Sequence, residues 1–407
     1  MLPVGEKDRL WLAVKRPRAL LLPLFLISLV SCTTAPYTGR SQFMLISESR
    51  EVNIGGEAYR YILRDSVLSQ HPEALRLVRK VGEKIAQVAN KPDYKWEFNV
   101  IDDPEMANAF AISGGKVAVY TGIFPVAQDE VGLAVVLGHE VAHALARHAG
   151  ERMSQGMLVQ LGGLGLAVAL GSNPELAKPV LGAYGLGASV GVILPFSRSQ
   201  ESEADRIGLI LMAKAGYDPR VALELWERME KKDKKQDSPP EFLSTHPGYE
   251  ARTQRIRDSL PEALKFYEPG EQGERLLPLE AVDSPTARAE RDLLKKIQAV
   301  NKQAGNPRGE RAVLEVMGAK LRVDPALLYQ ERKESGLGYG QYAALRTTSH
   351  LGKAPFSRIL ADYREGLSWS RIAENHGTHL SELSSFIEEL LRTAATAQSP
   401  PRLFGLP

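Results

Sequence analysis

The sequence predicts an α+β fold, mainly α, in which a small antiparallel sheet precedes a long buried helix and a small C-terminal helical module follows. Apolar residues recur at helical spacing through most of the chain. Period-two alternation is confined to the stretch from Trp96 to Tyr120. Directly after it comes an apolar helix, Val131 to His148, with a polar cluster cut into it. The 407 residues allow two domains, and 43% apolar with 25% charged residues is ordinary for a chain with a real core. A formal net charge of +2 gives no basic field, so no nucleic acid partner is expected. The run Lys231-Lys232-Asp233-Lys234-Lys235 reads as a solvated helix end.

The elements follow in order. Lys15, Arg16 and Arg18 precede a short apolar run, Ala19 to Val30, and Leu29-Val-Ser-Cys32 resembles a bacterial lipobox. The run is short for a membrane span, so residues 1–31 are expected as a lipoprotein signal peptide, with Cys32 the lipidated residue. An uncleaved anchor helix is the bland alternative. Thr33 after the cysteine favours the outer membrane in the lipoproteins this resembles. Cys32 is the one cysteine of the chain, so no intramolecular disulfide exists. Residues 32–47 read as a polar tether. Helical periodicity runs from Glu48 to about Arg64, and again after His71-Pro72 through Leu75, Leu77, Val78, Val81 and Ile85. Trp96–Ile101 reads as a strand. Asn108–Ile112 and Lys116–Tyr120, joined by Ser-Gly-Gly, read as a β-hairpin. Residues 157–171 and 179–196 are apolar and glycine-rich. They are expected to cap a cleft or rest on lipid, with a true span as the competing reading. Ser197 opens and Gly216 closes a second informative helix, and Asp218-Pro219 restarts another.

The chemistry begins with His139 and His143, four apart and so one turn apart on one helix face. Both rings can reach one Zn²⁺, and Glu140 can hold a water against it: the H-E-x-x-H pattern. A catalytic zinc site takes a third protein ligand from another element. Glu201 is the best candidate, with Asp205 one turn on to take the free N–H of a ligating histidine. Ala204, Ile207, Gly208 and Leu211 lay an apolar stripe beside this pair. Glu203 is expected to point elsewhere, onto the surface. His148 is expected to be packed or exposed rather than a ligand, and His71, His350, His376 and His379 to be structural.

Gly138-His-Glu-Val-Ala-His143, Ser197-Arg-x-x-Glu201-x-x-Ala204-Asp205 and Ser244-Thr-His246-Pro-x-x-x-x-Arg252, in that order, resemble the BepA- and LoiP-like periplasmic zinc peptidases, relatives of the HtpX and CAAX-prenyl peptidases. Pro36-Tyr-Thr-Gly-Arg-Ser and Asn108-Ala109-Phe-Ala also fit, and coverage is about Cys32 to Leu260. The resemblance implies a gluzincin-type domain over 48–260, one zinc held by His139, His143 and Glu201, and Glu140 as acid/base. It implies that His246 swings onto the zinc as a latch. His246 or Arg252 is the candidate oxyanion stabiliser. In zinc peptidases an edge strand pairs with extended substrate, which makes Asn108 and Ala109 substrate-binding candidates. Proteins it looks like degrade misassembled outer-membrane proteins, so misfolded or misassembled envelope proteins are the expected substrates. The chain departs from the pattern after 260, where no tetratricopeptide array follows. Residues 261–305 read as a linker with one charged helix, 306–394 as a helical module open to an unknown protein partner, and 395–407 as a tail. The function expected is that of a lipid-anchored zinc endopeptidase facing the periplasm. The competing readings are an envelope assembly factor with a closed zinc site and an integral membrane protease.

Overall fold

Why the long helices start and stop where they do is visible at their ends. The computed structural model describes residues 32–35, 37–158, 197–233, 242, 246, 249–269 and 284–398. Helix α1, Glu48–Arg64, is capped by the Ser47 side chain accepting from Arg50 N. Helix α2, Pro72–Ala89, starts on a proline and ends at Asn90 in the left-handed region. Helix α3, Glu130–Leu145, is capped by Asp129 and buried on nearly every side, as its apolar sequence requires. Helix α4, Arg198–Lys214, opens with a full capping box between Ser197 and Gln200. Helices α5, Val221–Asp233, and α6, Tyr249–Ala263, complete the shell around α3 and α4.

The sheet is mixed, which corrects the antiparallel expectation. Strands β3 (Glu97–Ile101), β4 (Ala109–Ile112) and β5 (Lys116–Tyr120) lie in the order β3-β5-β4. β4 and β5 form the expected antiparallel hairpin, with Gly114 and Gly115 at positive φ in the turn. β3 pairs with β5 in parallel. Its partner is chosen by packing: Phe98 and Val100 join the α2 side of the core, and Phe98 lies so close to Gly82 that no side chain would fit there. β4 is left at the edge of the sheet, beside α3.

Two other expectations change. Residues 37–47 are packed on the body of the protein, where a polar tether is expected. β1 (Cys32–Thr34) pairs with β2 (Ser41–Phe43), and Ala35, Gln42, Met44 and Ile46 are buried. Gln42 donates to the Ala146 carbonyl, so the segment is tied to the end of α3. The charged helix assigned to the linker belongs to the C-terminal module. It runs as α7, Pro285–Gln303, and its stripe of Leu293, Leu294, Ile297 and Val300 lies inside that module's core. Five shorter helices and the closing helix, Leu380–Gln398, complete this second core. The two bodies meet where Val67 enters the C-terminal core and Arg291 pairs with buried Asp102 at 2.8 Å. Among the described residues no helix is long and apolar enough to cross a membrane. The expected signal peptide, almost all of the apolar segments and residues 399–407 lie outside the described residues.

Candidate metal centre

α3 and α4 cross at two glycines. A Cβ on Gly138 would stand 2.9 Å from the Gly208 carbonyl oxygen, and one on Gly208 2.9 Å from the His139 nitrogen. The backbones therefore approach far more closely than larger residues allow. This contact sets His139 and His143 of α3 directly against Glu201 of α4.

Their donor atoms converge, with His246 as a fourth. His139 Nε2 lies 3.0 Å from His143 Nε2 and 3.2 Å from His246 Nδ1. Glu201 Oε1 lies 3.0 Å from His246 Nδ1 and 3.4 Å from His143 Nε2. A tetrahedral ion with ligand bonds of about 2.0–2.1 Å sets its donors about 3.3–3.4 Å apart. The cluster thus has the size of such an ion's coordination shell. All four residues are buried, Glu201 completely.

The electrostatics favour a positive charge at the centre. Burial alone would raise the Glu201 carboxyl, yet hydrogen bonds from His139, His143 and His246 hold it well below the usual carboxylate range. Burial and Arg252 push the His139 imidazole down, but bonding to Asp205 and Glu201 outweighs them and brings it up to about 9. Burial lowers His143 strongly, so it stays neutral. An environment that favours a proton between these groups also favours a metal cation. Beside them, Glu140 Oε1 is buried without a hydrogen-bond partner, 3.4 Å from His246 Nε2. Burial raises the Glu140 carboxyl above its ordinary value.

The neighbours fix the rings. Asp205 Oδ1 lies 3.1 Å from His139 Nδ1, as expected, which puts a proton on Nδ1 and turns Nε2 toward the cluster. Arg252 does not sit as an oxyanion donor would. Its guanidinium is fully buried behind the cluster, donating to Asp205 and Glu201 and lying 3.5 Å over the Trp226 ring. It is a counter-ion for two carboxylates that would otherwise repel each other. Phe242 stacks on His246 with ring centroids 4.5 Å apart. Asn108 precedes β4 and Ala109 opens it, at the sheet edge next to α3. The Ala109 side is buried, and its N–H donates to the Asn108 side chain.

Glu203 differs from expectation, while His148 is packed, as expected, and lies beside the cluster. Glu203 is buried, not superficial, because the folded N-terminal segment covers it. Arg40 Nε donates to Glu203 Oε2 at 2.7 Å, and Thr38 donates to Oε1. Burial would raise the Glu203 carboxyl, but hydrogen bonds from His148, Thr38 and Arg40 bring it down to about 2. His148 is fully buried and bonds to His143 through Nδ1 at 2.9 Å and to Glu203 through Nε2 at 3.0 Å. A straight helix would carry His148 round to another side. Instead α3 ends at Leu145, and Arg147 takes a φ of 56°. Glu51 holds that turn, accepting from Arg147 Nε and from Gly150 N. A left-handed arginine has no sequence signature, so periodicity could not find this contact.

Residues 72–260 match peptidase family M48. The chain is 39% identical over 232 residues to the mitochondrial metalloendopeptidase OMA1 of Schizosaccharomyces pombe, a stretch covering 56% of this chain and 66% of that one. It is 34% identical over 252 residues to OMA1 of Saccharomyces cerevisiae, covering 58% of this chain and 70% of that one. The β-barrel assembly-enhancing protease of Escherichia coli is 28% identical over 232 residues, 56% of this chain and 47% of that protein. The expected bacterial relatives are therefore joined by mitochondrial ones of higher identity. In each case the similarity leaves part of the relative's own length unmatched.

Proposed function

The chain belongs to peptidase family M48, and on that premise we propose that it is a zinc-dependent endopeptidase whose ion is held by His139, His143 and Glu201. The observation that carries this reading is the convergence of these three donors, from two helices, beside Glu140, whose Oε1 has no hydrogen-bond partner. Three nitrogen and carboxylate ligands in a buried pocket are the donor set of catalytic zinc. When bound, zinc lowers the pKa of a water and polarises a peptide carbonyl.

Glu140 does the proton work. Burial raises its carboxyl above the ordinary value, which makes it a stronger base toward a water. It takes the proton of the attacking water at Oε1. The water oxygen joins the carbonyl carbon, the C–N bond breaks, and Glu140 passes the proton to the leaving amine. Asp205 keeps His139 in one tautomer, and Arg252 balances the Asp205 and Glu201 charges from behind. β4, which Asn108 precedes and Ala109 opens, is an edge strand, and its outer edge is assigned to an extended substrate.

His246 adds a fourth donor beside the three, which supports the proposal that it latches the site in a resting state. The same four-donor closure also favours a second reading, an assembly factor whose zinc is structural. The substrates proposed are misfolded or misassembled membrane and envelope proteins. That proposal is supported by the barrel-assembly name of the E. coli relative and by the Cys32 lipobox, which would hold the protein on the periplasmic face of an outer membrane. The C-terminal module is proposed as the docking body for a protein partner.

The deciding experiment is cleavage of casein by the purified chain and by Glu140→Gln. The parent should cleave, a chelator should stop it, and zinc should restore it. Glu140→Gln should keep one zinc and lose at least about a hundredfold in rate. A Glu140→Gln protein as active as the parent would refute the peptidase reading of this site.

A further inference from the structure

We propose that Arg40, Glu203 and His148 form a positioning relay that fixes the tautomer of His143 and so aims its Nε2 at the metal. The proposal rests on the reading of His143 as a ligand. It adds a support running from the N-terminal segment to that ligand.

The assignment follows from donors and acceptors along the line. Glu203 is ion-paired with Arg40 through Oε2 at 2.7 Å, and a carboxylate so paired can only accept. His148 Nε2, 3.0 Å from Glu203 Oε2, must therefore carry a hydrogen. The bond between His148 Nδ1 and His143 needs one donor and one acceptor, and an imidazole that ligates through Nε2 carries its hydrogen on Nδ1. His143 Nδ1, 2.9 Å away, must then be the donor. That leaves the His143 Nε2 lone pair pointing into the cluster, where it lies 3.0 Å from His139 Nε2. The carboxylate is held in turn. Thr38 donates to one Glu203 oxygen, and Arg40 to the other at 2.7 Å. Arg40 is itself locked by two bonds to Glu151, at 2.9 and 2.8 Å, and Glu151 accepts from Gln200 at the start of α4. His139 has its own support in Asp205, so the two histidines are oriented by carboxylates on the same helix, α4. For His139 the contact is direct. For His143 a second imidazole bridges the gap. The carboxylate behind that bridge is then pinned by residues 38–40, a part of the chain outside the matched family region of 72–260.

The test uses the full chain and reads zinc affinity by competition with a chromophoric chelator, alongside the melting temperature of the metal-free proteins. Partners of this kind typically contribute about 10–100-fold to affinity. His148→Phe keeps a ring but no acceptor, and should bind zinc about 10–100-fold more weakly. His148→Gln, whose side-chain oxygen can still accept from His143, should recover part of that loss. Arg40→Ala, at a partly exposed residue, should weaken binding in the same direction but less. If His148→Phe does not fold, Glu203→Leu, which offers His148 no acceptor, reads the same relay from the other side. Ring ¹⁵N shifts of the metal-free protein should place the proton of His148 on Nε2 and that of His143 on Nδ1. A parent protein that binds one zinc tightly, with whichever of these two variants folds matching it within twofold, overturns the relay but leaves the metal site standing. A proton on His148 Nδ1 does the same. A parent that binds no zinc overturns the ligand assignment, and the relay with it.

Discussion

His246 turns Nδ1 into the cluster and Nε2 toward Glu140, so one side chain fills two places that a hydrolytic reaction needs free. Removing it should leave three ligands and an open position. His246→Ala is therefore expected to raise casein cleavage severalfold while keeping zinc bound. Equal or lower activity would count against the latch, and absence of cleavage in both proteins would favour the assembly-factor reading. At this scale the ligand trio was legible. The i,i+4 spacing of His139 and His143 fixes their common face, and the position of Glu201 one turn before Asp205 fixes theirs. The role of Arg252 was not. Its neighbours are two carboxylates from α4 and an indole from α5, and none of these is near it in sequence.

Helix α3 and helix α4 act as a pair, and the pair depends on Gly138 and Gly208. With less than 3.0 Å to the opposing backbone at either position, a methyl group must push the helices apart. Overpacking of this kind costs about 1–3 kcal/mol. The same displacement would move Glu201 away from both histidines. Gly208→Ala should thus lower both the melting temperature and the affinity for zinc, in calorimetry and chelator competition. A Gly208→Ala protein unchanged in both would show that the crossing does not set the site. The sequence marked Gly208 as part of an apolar stripe, but the absence of its side chain mattered more than its polarity.

At the scale of the whole molecule, the N-terminal segment is bound to the catalytic body through charge. Arg40 bridges Glu203 and Glu151, both almost buried. Burial alone would raise the Glu151 carboxyl, but hydrogen bonds from Arg40 and Gln200 outweigh it and leave it below its ordinary value of 4.5. A carboxyl whose folded pKa is depressed contributes stability that is present above about pH 4.5 and lost as pH falls through the folded value. The melting temperature of the metal-free protein should therefore drop between pH 5 and pH 3, and Glu151→Gln should flatten that drop while starting lower at pH 7. Parallel curves for the two proteins would show that this bridge carries no pH-dependent stability. The C-terminal module is fastened by Val67 in its core and by the Arg291–Asp102 pair.

By itself the sequence determined the helices, the hairpin, and the candidate cluster of His139, His143 and Glu201 with Glu140 beside it. Each of those follows from local rules: capping residues, two periods of hydrophobicity, glycines in a tight turn, and the fixed pitch that brings residues four apart onto one face. Tertiary structure decided the parallel pairing of β3, the burial of Glu203, the counter-ion place of Arg252 and the bond between His148 and His143. Those depend on which surfaces meet after folding. Residues 38–40 reach a carboxylate more than 160 positions away, and a left-handed turn at Arg147 swings a histidine back toward the ion. No pattern along the chain encodes either contact, because each is chosen by the shape and charge of a partner that exists only once the helices have packed.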